Sequence, residues 1–145
     1  MSLRRIRAGE LIALVGAGCV IVSLTLWWYE GPLGNLDAWD TFGPAVVLLI
    51  AAAGFALALV VSTLAERSPA LPVALAVWST LAGAIAVVAA VVRLLERPDH
   101  TTSVCGGAWL ALAGAVAILV GSWQSMRDER QSSYAPVSPE PRPRP

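Results

Sequence analysis

Few side chains in this 145-residue chain are equipped for chemistry: it has one histidine, two cysteines and ten carboxylates. His100 follows Asp99 and comes shortly after Glu96, which in outline is an acid–base cluster. A carboxylate beside an imidazole can orient the ring and hold its proton for general acid–base work. Such a group on a short polar connection is ordinarily just solvated, and no serine or cysteine nucleophile stands at a readable spacing from it. Cys19 lies inside an apolar run, whereas Cys105 lies near the edge of another. A disulfide between them would demand a shift of about eight residues along a helix. One histidine and two thiols at different depths also make a poor metal set, because zinc takes three or four converging ligands. The chain has no glycine-rich phosphate loop and no basic stripe for nucleic acid. These residues imply a chain that is not an enzyme, with no catalytic, cofactor-binding or metal residues, no cofactor and no nucleic-acid partner.

The elements that would carry any site are more informative. Residues 11–29, 41–65, 68–92 and 101–126 contain no charged side chain. Each run is long enough to cross the roughly 30 Å hydrocarbon core of a bilayer as a helix. Hydrophobic residues make up 57% of the chain and charged ones 14%, against about 25% charged in soluble domains. Four segments apolar on every face cannot all be buried in so short a soluble protein. Barrel strands would alternate in polarity over about ten residues, and Ala51-Ala52-Ala53 or Val87-Val88-Ala89-Ala90-Val91-Val92 do not. The expected fold is an all-α membrane protein: an antiparallel bundle of four transmembrane helices.

All ten basic residues are arginines, so orientation reduces to counting them at the segment ends. Arg4, Arg5 and Arg7 precede the first span, Arg67 sits between the second and third, and Arg127 and Arg130 follow the fourth. Only Arg93 and Arg97 lie on the other side. Both termini are therefore expected in the cytoplasm of a bacterium whose inner, plasma membrane the chain crosses. Residues 1–10 form a basic N-terminus, 30–40 and 93–100 the outer loops, and 66–67 a cytoplasmic turn. Residues 127–145, with Ser132, Ser133, Tyr134 and prolines 136, 139, 141, 143 and 145, read as a disordered, proline-rich cytoplasmic tail. The basic start followed by an apolar run resembles a signal peptide, and Val15 to Cys19 faintly echoes a lipoprotein processing site. Without a small-residue cleavage site near Thr25-Leu26-Trp27-Trp28, the segment reads as an uncleaved span.

Within this frame Trp27, Trp28 and Tyr29 fall at the outer interface, as does Trp109, while Trp123 falls near the inner one. Trp28, Tyr29, Trp39 and Phe42 are the candidate interaction surface. Trp78 falls inside the third span and is expected in a helix–helix contact. Glu10, at the inner boundary beside Arg7, is expected to be paired or hydrated, and Arg93 with Glu96 to form a solvated pair. Asp40 or Thr41 is the expected cap of the second helix, and Ser68-Pro69 opens the third. In lipid, helices associate through small residues that let backbones approach. Gly107, Gly114 and Gly121 recur every seven residues on the fourth helix and mark its packing face.

Trp27-Trp28-Tyr29, Asp37-Ala38-Trp39-Asp40-Thr41-Phe42, Arg67-Ser68-Pro69-Ala70-Leu71-Pro72, Gly107-Ala108-Trp109 and Ser125-Met126-Arg127-Asp128-Glu129 together resemble a group of small four-helix membrane proteins of actinobacteria. The resemblance implies location and architecture over roughly residues 4–130 and carries no established activity. Two functions stay open: a non-enzymatic scaffold or accessory subunit of an envelope complex, and a small transporter or channel subunit working as an oligomer. The partners implied are the lipid bilayer and either another membrane protein or further copies of the chain. Ionisable groups within the membrane usually mark transport, and the four cores hold none, which favours the scaffold. The orientation has a direct test. A cysteine substituted for Asp37 should react with a membrane-impermeant thiol reagent on intact cells; reaction only after permeabilisation would reverse the topology.

Overall fold

The computed structural model describes residues 7–32, 34–65 and 70–132. It is mostly helical, with α1 (Ala8–Ser23), α2 (Ala38–Phe42), α3 (Val47–Leu64), α4 (Ala70–Leu95) and α5 (Gly106–Ser132). Three short strands accompany them: β1 (Tyr29–Gly31), β2 (Gly34–Leu36) and β3 (Ser103–Val104). Among the described residues, three stretches are long and apolar enough to cross a membrane: Ala38–Leu64, Leu71–Leu95 and Gly106–Asp128. Helix α1 is a shorter apolar helix of 16 residues, or about 24 Å.

The four long helices pack as a ring. α1 and α4 each lie between α3 and α5. Neighbours run antiparallel, since Glu10 at the start of α1 meets Thr63 at the end of α3, and Ser79 early in α4 meets Ser122 late in α5. The interior is built from small side chains: Ala13, Ala17, Ala52, Ala56, Ala86, Ala111 and Ala115 are buried, with Val20, Leu49 and Ile118 filling between them. Large apolar side chains such as Val15, Val47, Val61, Leu81, Val88 and Val120 point outward. Such an inverted distribution leaves an apolar exterior that lipid, rather than water, suits.

The tightest contact is between α1 and α5. A Cβ placed on Gly16 would stand 2.7 Å from the Gly114 carbonyl oxygen, and one on Gly114 2.8 Å from the Gly16 carbonyl oxygen. One turn-pair further in, a Cβ on Gly9 would stand 2.6 Å from the Gly121 carbonyl, and one on Gly121 2.5 Å from that of Gly9. These backbones touch directly, and any side chain in between would force them apart. The α4–α5 contact is looser. A Cβ on Gly83 would stand 3.0 Å from the Leu119 nitrogen, and the buried hydroxyls of Ser79 and Ser122 share a 2.7 Å hydrogen bond.

Several boundaries differ from the sequence expectation. Residues 11–29, expected as one span, divide: α1 stops at Ser23, and the chain then turns and runs extended into β1. The stop is made locally. The Ser23 hydroxyl donates to the Val20 carbonyl at 2.6 Å and that of Thr25 to the Val22 carbonyl at 2.8 Å. Backbone N–H groups of Leu24, Thr25 and Leu26 bond three residues back, satisfying carbonyls the helix leaves open. The aromatic residues that follow, Trp27, Trp28 and Tyr29, suit an extended chain.

The segment 30–40, expected as a loop, begins with an antiparallel hairpin in which Tyr29 faces Leu36 and Glu30 faces Asn35. β3 adds to its other side, Tyr29 against Val104 and Glu30 against Ser103, so β1 is the central strand of three. Residues 101–105 therefore lead into α5 rather than beginning it. The second helical stretch is capped by Asp37, not by Asp40 or Thr41: its carboxylate accepts the Asp40 N–H at 2.9 Å. Gly43, at φ +52°, then lets the chain pass through a short 3-10 turn with Pro44 before α3 begins. At their far ends α4 continues to Leu95 and α5 to Ser132, so residues 127–132 are helical. The 66–67 turn, the Ser68-Pro69 cap, residues 1–6 and the tail from residue 133 lie outside the described residues.

Glycines on the two sides of the bundle should respond oppositely to substitution. Gly114→Leu must separate α1 from α5 and is expected to destabilise by about 1–3 kcal/mol or more, read as a lower thermal midpoint in mild detergent. Gly54 has open space where a Cβ would go, so Gly54→Ala should be neutral or stabilising by about 0.5–1 kcal/mol. A Gly114→Leu protein as stable as the parent would contradict the direct α1–α5 contact.

Candidate functional site

The residues proposed from sequence as an interaction surface converge at the end of the bundle where α1 stops, but most of them face inward. Trp28 and Tyr29 are both 0% exposed and Phe42 is buried. Successive side chains of an extended strand point to opposite faces. Burial of both Trp28 and Tyr29 therefore means that protein covers the strand on each side. Of the four residues, only Trp39 presents its side chain outward. The candidate aromatic surface reduces to that residue, because the chain from Trp28 onward is extended and threaded into the mouth of the bundle.

The mouth is held by specific contacts. The Trp28 indole N–H donates to the Ser23 carbonyl at 2.9 Å, closing the end of α1. Its ring meets Phe42 edge-on, with centroids 4.9 Å apart and planes at 89°, a favoured arrangement for an aromatic pair. The Arg93 guanidinium lies 5.6 Å over the Phe42 ring, within cation–π range. The Tyr29 hydroxyl donates to the Arg93 carbonyl in the last turn of α4, where helix carbonyls lack partners of their own. Main-chain bonds complete the closure. Trp28 N–H donates to Leu36, Cys105 N–H to Trp28 and Thr102 N–H to Glu30, each at 2.8 Å.

Gly107 explains itself here. Its N–H donates to the Trp27 carbonyl at 3.1 Å, and a Cβ at this position would stand 2.6 Å from that oxygen. Gly107, Gly114 and Gly121 thus all lie on the side of α5 turned to α1 and its outgoing chain. Sequence reasoning missed their partners. Gly9 and Gly16 show the same seven-residue spacing on α1, which was the available signal.

At the opposite end, Glu10 is neither hydrated nor paired with the Arg7 side chain in the way expected. It is 3% exposed, and its carboxylate accepts the Arg7 backbone N–H at 3.2 Å and the Thr63 hydroxyl at 3.1 Å. A capping position on α1 thereby becomes a tie between α1 and α3. Ser125, also buried, donates to the Gly121 carbonyl at the same end. Trp78 does meet a neighbouring helix, stacking beside Phe55 of α3 with ring centroids 6.2 Å apart, but the contact is not buried, since Trp78 is 55% exposed. The neighbouring Ser79–Ser122 bond sets Trp78 level with Trp123, so these two exposed indoles mark one height on the bundle.

The acid–base trio is only partly brought together. Asp99 and His100 line a hollow of about 140 Å³ with Gly31, Asn35 and Thr101, and Glu96 does not join them. His100 has a left-handed backbone, φ 66°, and the Thr101 hydroxyl is committed to the Pro98 carbonyl at 2.9 Å. Among the described residues, no three His, Cys, Asp or Glu side chains stand together as a metal-binding group. Cys19 packs beside Gly114, nine residues or about 13 Å along α5 from Cys105, and both cysteines are free.

No protein-family model, curated protein or solved structure matches the chain.

Tyr29 gives the mouth a measurable pH dependence. Burial raises its pKa above the ordinary 10.0, a rise opposed by the charges of Arg97 and Arg93. The folded state thus favours the neutral phenol, so the stability this contributes is present below about pH 10 and is lost as pH rises through the raised value. Tyr29→Phe should cost about 1 kcal/mol at neutral pH by leaving the Arg93 carbonyl without its donor. It should also remove the Tyr29 share of the alkaline loss of stability seen on thermal unfolding of the parent. An identical alkaline profile for the two proteins would contradict this role.

Proposed function

We propose that this chain is a multi-pass protein of a bacterial plasma membrane that acts without catalysis, as a scaffold or accessory subunit of an envelope complex. In this reading α1, the Ala38–Leu64 stretch, α4 and α5 are its four spans, both termini lie in the cytoplasm, and the three-stranded sheet faces outward. The chain belongs with the small four-helix actinobacterial proteins that it resembles.

The observation that carries the proposal is the closed outer mouth. A conduit through a single bundle needs a path lined by polar groups or water. Here Trp28, Tyr29 and Phe42 fill the mouth and alanines fill the interior behind it. Among the described residues, Glu10 is the one acidic or basic side chain in the buried set besides the phenol of Tyr29, and it lies at the inner end with its partners in place. Exposed Trp27, Trp39 and Trp109 at one end and Trp78 and Trp123 toward the other are placed as interfacial anchors would be. A rigid body of this kind suits a protein that offers its surface to a neighbour.

Purification of the full chain in mild detergent after cross-linking in native membranes tests the proposal. A membrane-protein partner retained in fixed stoichiometry is the expected result. A homo-oligomeric ring that conducts ions in liposomes would replace the scaffold with a pore, and a lone chain with neither partner nor flux would also count against it.

A further inference from the structure

We draw no further inference here: the strongest candidate, the apolar groove between α3 and α4 lined by Ala51, Gly54, Phe55, Ala58 and Leu75 with Trp78 at its edge, is an unpartnered face, and nothing in the structure shows what covers it.

Discussion

Backbone contact between α1 and α5 is the constraint on which the rest of the structure depends. Inside lipid, water does not press apolar helices together, so association rests on close packing and hydrogen bonds. Glycine is what makes the closest packing available. Gly16 against Gly114 and Gly9 against Gly121 bring carbonyl oxygens of each helix onto the Cα positions of the other. Each such glycine costs its helix about 0.5–1 kcal/mol relative to alanine, a loss that the contact between the two backbones offsets. α1 and α5 are the first and last helices of the bundle, so their seam is also what closes the ring.

The register of that seam decides what happens at the end where α1 stops. With Gly114 opposite Gly16, the antiparallel run brings Gly107 beneath Trp27, where its N–H reaches the Trp27 carbonyl. The chain leaving α1 is thereby tied to the first turn of α5. Trp28 then falls into the mouth against Phe42, and Tyr29 reaches the Arg93 carbonyl at the end of α4. β1 pairs with strands on both sides, so its polar backbone groups find partners within the protein. That is required wherever water is scarce. Stopping α1 at Ser23 thus shapes this end of the bundle: the residues freed from the helix, Trp28 and Tyr29, are buried in its mouth.

Much of this was legible in the sequence, and the remainder has physical reasons for being hidden. Long charge-free runs reveal helices suited to lipid because all faces of such a helix are apolar, whatever its neighbours. They do not reveal where the helix ends. Thr25, Trp27, Trp28 and Tyr29 are uncharged whether coiled or extended, and two of their partners, Val104 and Cys105, stand far away along the chain. Seven-residue glycine spacing on α5 could be read directly, but which helix meets it depends on the ring order, which no local pattern contains. Exposure was the least legible property. Trp28 and Trp78 differ in nothing local that says one is enclosed and the other faces out, and Glu10 beside Arg7 looks like a surface residue until Thr63 is brought against it.

The central claim is that α1 and α5 touch backbone to backbone through their glycines. Solid-state NMR of glycine-labelled protein in lipid bilayers tests this without altering the sequence. Through-space cross-peaks between Gly16 and Gly114 carbons, and between Gly9 and Gly121 carbons, are the predicted result. Their absence in spectra where contacts within α5 are plainly resolved would contradict the account.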